Sequence, residues 1–123
     1  MLDYLATLPN AKVSFYASNM VLNIHSDASY LSEFGAKSRA AGVYFMGETP
    51  QDEKPITRNG NIFVVCGMLK FVAASAAEAE LGALHLNGQE AVGPRNALEA
   101  VGFPQPATSM KNGKKQTWWN PQP

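Results

Sequence analysis

The sequence holds a single cysteine, Cys66, and only two histidines, so no disulfide can form within the chain and a structural zinc site lacks its ligands. A lone thiol favours a reducing compartment, cytoplasmic or nuclear, over secretion. An excess of one charge sign is also missing. Ten basic and ten acidic side chains cancel, so no overall field draws the chain to nucleic acid or to anionic lipid. Any polyanion has to be held by a local patch or by metal ions. No apolar run approaches the ~20 residues of a membrane-crossing helix, and no basic head precedes a long apolar stretch at the N-terminus. Neither a membrane span nor a signal peptide is expected. There is no Asn-x-Ser/Thr acceptor and no Gly-rich phosphate loop. The acidic residues also run out early, with no Asp after Asp52 and no Glu after Glu99.

What remains is an ordinary globular composition, 46% hydrophobic and 16% charged over 123 residues, which suits one small domain. Residues 1–19 read as a lead-in, with a turn at Pro9-Asn10 and a short extended piece at Val13-Ser14-Phe15-Tyr16. From Met20 to Asp27 the pattern alternates as in a half-buried strand. Met20, Leu22 and Ile24 point one way, and Asn23, His25 and Asp27 the other. This places Asp27 at the strand's end on its polar face. Ser29 to Ser38, with Gly35 at its centre, reads as a hairpin connection into a second strand over Ala41–Met46. Asn59-Gly60 marks a turn before a third strand over Asn61–Val65. The order implies an antiparallel meander.

The best-marked helix starts at Ser75, where Ser75-Ala76-Ala77-Glu78 fits a capping box. Ala77, Leu81, Leu84, Gly88, Ala91 and Val92 fall on one stripe of a 3.6-residue period. Pro94 is expected to kink or restart the helix, and Gly102 followed by Pro104 to stop it. Pro106 to Lys111 offers a fourth strand, and residues 112–123 show no usable period and are expected to be unstructured. The domain reading is a lead-in over 1–19, a partial domain over 20–111 and a tail over 112–123.

Two carboxylates stand out. Asp27 closes a strand and Glu80 lies in the first turns of the helix, a pairing that can grip a hard cation such as Mg²⁺ with one or two oxygens. Two such ions would stabilise both an attacking water and a leaving phosphate-ester oxygen. Spacing alone also fits plain helix electrostatics at Glu80 and a turn residue at Asp27.

Three motifs add weight. His25-Ser26-Asp27-Ala28-Ser29-Tyr30-Leu31-Ser32-Glu33 is similar to the opening strand and loop of the ribonuclease H domain in LTR-retrotransposon pol polyproteins, nearest the copia-like group. Ala36-Lys37-Ser38-Arg39-Ala40-Ala41-Gly42 resembles that family's entry into strand two. Ser75-Ala76-Ala77-Glu78-Ala79-Glu80-Leu81-Gly82-Ala83-Leu84 resembles its first helix, and Leu2-Asp3-Tyr4-Leu5 looks like the end of the connection from the reverse transcriptase. The resemblance spans Leu2 to Met110 with the motifs in order.

It implies an α/β, ribonuclease H-like fold: a three-stranded antiparallel meander, a main helix and a parallel fourth strand, with the C-terminal part missing. It also implies cleavage of the RNA strand of an RNA–DNA hybrid with two Mg²⁺ ions. Asp27 and Glu80 are then the first two catalytic and metal-binding carboxylates, with Glu78 left as the cap. The implied partners are the hybrid, read through backbone and 2′-hydroxyls, and the remainder of a pol polyprotein. Lys37, Arg39 and Lys70 are candidates for phosphate contact, against the commoner reading of solvated surface charge.

The sequence departs from that family where the third carboxylate belongs. A Thr-Asp-Asn-like triplet is expected near the fourth strand, and this chain runs Thr108-Ser109-Met110-Lys111-Asn112-Gly113 instead. The fourth carboxylate is missing too. Two carboxylates would hold at most one Mg²⁺ weakly, so little or no nuclease activity is expected, and the alternative is a non-catalytic relic or a domesticated interaction module. His25-Ser26-Asp27 contains the letters of a hydrolase triad, but adjacent strand residues face opposite ways and cannot form its relay. His85 reads as a helix-surface residue and Cys66 as a small buried hydrophobe. Lys114-Lys115 with Trp118-Trp119 has the letters of a single-strand stacking site, set in a tail that fits no family pattern.

Overall fold

The computed structural model describes residues 6–49, 51 and 56–106, and the backbone of 109–112 and 115–118. Three strands form an antiparallel meander in the order β1 (Val21–Glu33), β2 (Lys37–Gly47), β3 (Asn61–Met68), and α1 (Ala76–Ala100) packs across β1 and β2. The expected α/β arrangement of meander and helix is present. No described helix is long and apolar enough to cross a membrane.

The strands run further than their sequence signals suggest. β1 continues through the supposed connection to Glu33, and the turn shrinks to the residues around Gly35 (φ 74°) and Ala36 (φ 56°). Left-handed backbone at Gly35 carries no side-chain penalty, so it lets β1 and β2 extend to meet. Asp27 is consequently mid-strand, paired with Ala41, rather than at a strand end. Val13–Tyr16 is not a strand; Tyr16 instead exchanges hydrogen bonds with the Asn59 side chain.

Regular pairing from Val21↔Gly47 to Ser29↔Arg39 divides the sheet cleanly into two faces. Ser26 and Ala28 on β1, and Ser38, Ala40, Gly42 and Tyr44 on β2, lie under the helix, and those four β2 residues are buried. The core cluster is Ala40, Leu69, Ala73, Ala79 and Ala83, with Ala28 and Leu86 against it. Four of the five are alanine, so the helix sits close to the sheet. Each methyl contributes only about 1 kcal/mol of burial.

The helix buries a stripe other than the expected one. Ala79, Ala83, Asn87 and Leu98 are buried, whereas Leu81 is 64% exposed and Val92 49%. Small side chains win the interface because they allow close contact, and the larger residues are left outside. The helix also runs unbroken through Pro94. Its start is as expected: Ser75 Oγ accepts from Glu78 N at 3.1 Å, and Glu78 Oε2 accepts from Ala74 N at 2.6 Å, one residue before the cap. Its end is a Schellman-type closure, with Phe103 N donating to Leu98 O, Gly102 N to Glu99 O, and Gly102 at φ 95°.

No fourth strand joins the sheet among the described residues. β4 (Ser109–Asn112) pairs antiparallel with β5 (Lys115–Trp118) as a separate two-stranded sheet. The stretch expected to be a parallel strand and an unstructured tail thus carries backbone pairing of its own. Leu2–Leu5 lies outside the described residues.

Candidate functional site

Alternation along β1 decides where the first carboxylate points. Asp27 shares its face with His25, and α1 covers the other face through Ser26 and Ala28. His25 stacks on Phe45 of β2, with ring centroids 5.3 Å apart and an interplanar angle of 19°. With Ala41, Val43, Arg58, Asn59 and Asn61 they line a shallow open groove of about 400 Å³ on the face opposite the helix. Asp27 Oδ1 accepts from the neighbouring Ala28 N at 3.0 Å. Partial burial against Phe45 lowers the His25 pKa, and the positive charge of Arg58 lowers it further.

Glu80 belongs to the other layer. It follows buried Ala79 on α1 and is partly exposed at the flank of the helix. The sheet stands between the Asp27 side chain and that helix, so the structure does not bring the two carboxylates into a common site. Among the described residues no group of three or more His, Cys, Asp or Glu side chains is arranged to hold a metal ion.

The candidate phosphate-binding cations are dispersed. Arg39 Nε donates to Glu33 Oε1 at 2.6 Å, and Arg39 Nη1 lies 3.7 Å from Cys66 Sγ. That pairing raises the Arg39 pKa and lowers that of Glu33, so the guanidinium is already partnered. Lys37 is exposed at the start of β2, opposite Glu33 in the register, and Lys70 is exposed just beyond β3. Cys66 is exposed on the open face, not buried.

Arg58, which pattern reading passed over, and Asn59, read there only as part of a turn, both line the groove. Arg58 enters the groove because the turn before β3 folds back beside β2. Asn59 ties that turn down: its Nδ2 donates to Tyr16 O (3.0 Å) and Met46 O (2.9 Å), and its Oδ1 accepts from Tyr16 N (3.0 Å). The Asn-Gly pair signalled a turn; only the meander's register shows what that turn stands next to. No family model, curated protein or solved structure matches the chain.

Proposed function

We propose that this chain is a non-catalytic module derived from the ribonuclease H domain of an LTR-retrotransposon pol polyprotein. The order of three antiparallel strands then a helix, with Ser26-Asp27-Ala28 in the first strand and Ala79-Glu80-Leu81 in the second turn of the helix, supports the derivation. The observation that carries the non-catalytic reading is the placement of Asp27 on the open face while Glu80 rides on the helix covering the other. Two-metal hydrolysis needs carboxylates converging on ions about 4 Å apart. Among the described residues Asp27 has no second carboxylate beside it in the groove, and the third motif carboxylate is missing from the sequence. Any hold on a hybrid duplex falls to Lys37, Arg39 and Lys70. With Arg39 engaged by Glu33 and the chain formally neutral, that hold is weak and salt-sensitive.

A labelled RNA–DNA hybrid incubated with the chain, with and without Mg²⁺, tests this reading. The expected result is no cleavage above background in either case. Mg²⁺-dependent turnover that disappears in both Asp27→Asn and Glu80→Gln would overturn it. The derivation is tested separately by the genomic sequence beyond the Lys111 codon, where a shifted frame is expected to encode a Thr-Asp-Asn-like triplet.

A further inference from the structure

β1 is an edge strand whose outer side is closed at its ends and open in the middle. Leu22 N donates to Gln105 Oε1 at 2.9 Å and Gln105 Nε2 donates to Met20 O at 3.0 Å, so one carboxamide pairs that end as a strand would. Further along, Ala28 N is taken by Asp27 Oδ1. Backbone groups alternate in direction along a strand, so Ile24 and Ser26 point outward with Leu22. Their amides meet no partner among the described residues. Left-handed backbone at Met20 (φ 59°) and Leu31 (φ 51°) bounds this regular stretch. Unpaired outward amides on a regular edge are a template for another strand.

We propose that this edge pairs with the same edge of a second copy of the chain, antiparallel and centred on Ser26. In that register Ser26 faces the partner's Ser26, and their outward amides and carbonyls pair reciprocally. Ile24 faces the partner's Ala28 and donates its N–H to that residue's carbonyl, while Ala28 N stays with Asp27 Oδ1. His25 then stands opposite the partner's Asp27, twice by symmetry, in the close non-hydrogen-bonded positions of the open face. Shifting the centre to His25 would set imidazole against imidazole, and shifting it to Asp27 would set carboxylate against carboxylate. Of these three registers only the Ser26-centred one sets each imidazole against a carboxylate. The helix supports the same arrangement. α1 lies over β1 and β2, so at a strand spacing of about 4.8 Å its symmetry mate runs on the same face about 10 Å away, the usual distance between packed helices.

Sedimentation equilibrium over a concentration series tests the pairing on the full chain. The wild type is expected to dimerise reversibly. His25→Asp and Asp27→His are each expected to weaken the dimer about tenfold, and the double variant to return within about threefold of wild type, because it restores an imidazole opposite each carboxylate. Ile24→Pro removes an outward N–H without touching the bonds to β2, and is expected to abolish the dimer while the far-ultraviolet circular dichroism is retained. A chain that stays monomeric at every concentration would overturn the proposal. So would a dimer indifferent to both the charge exchange and the edge proline.

Discussion

At the residue scale, the carboxamide of Asn87 organises the polar side of the helix–sheet contact. It is 1% exposed, and its Nδ2 donates to Ser26 Oγ (2.8 Å) and Ala41 O (2.9 Å), while Tyr44 Oη donates to Asn87 O (2.9 Å). Gly42 makes room for it, because a Cβ there would stand 2.6 Å from Asn87 Cγ. Gly42→Ala is therefore expected to cost about 1–3 kcal/mol through overpacking, read as a lowered urea midpoint with an unchanged slope. Tyr44 itself carries a pH signature. Burial, with Glu90 nearby, pushes its phenol up to about 12 from an ordinary value near 10. A raised folded-state pKa means the stabilising contribution is complete below about pH 10 and is lost as pH rises towards 12, because the unfolded phenol ionises first. Urea midpoints measured from pH 8 to 11.5 should fall across the upper end of that range, and Tyr44→Phe should flatten the decline.

At the element scale, the helix ends were legible from sequence and the helix face was not. Ser75 and Gly102 act through local geometry, an orphan amide and a left-handed residue, and local geometry is written in neighbouring residues. Ser75→Ala is expected to cost about 1 kcal/mol, measurable as a lower thermal midpoint. The stripe through Leu81 and Val92 looked like the packing face because it is more apolar. The sheet instead took the stripe of Ala79, Ala83 and Asn87, because a floor of Ala40 and Gly42 rewards close approach over side-chain volume. Strand faces were legible because the period of two leaves no freedom, and the even and odd residues of β1 separate as expected. Strand lengths were not legible, since polar residues at Ser29–Glu33 tolerate pairing that their types do not favour.

At the scale of the whole molecule, the helix roofs one sheet face, while the other is covered only around Val21, Asn23 and Phe45. Val43, Ile62, Val64 and Met68 are between 38% and 54% exposed, and all but Ile62, at the β2–β3 register shift, stand on the face that the helix does not cover. Contiguous apolar surface of this kind on a marginal core leads to self-association and binding of apolar dyes. Val64→Lys is expected to reduce dye fluorescence and aggregation without changing helix content or lowering the thermal midpoint by more than about 0.5 kcal/mol equivalent. A sharp, reversible, dye-silent melt of the unaltered chain would contradict this.

The amino-acid order alone determined the meander, the helix with its caps, and the polar face on which Asp27 lies, because each depends on residues within a few positions of one another. Only the folded chain decided whether Asp27 and Glu80 could cooperate, which helix stripe is buried, and that Arg58 joins His25 in the groove. Those outcomes depend on which side of a sheet a helix lands, and that choice is made by packing between residues some 50 positions apart, where no local pattern reaches.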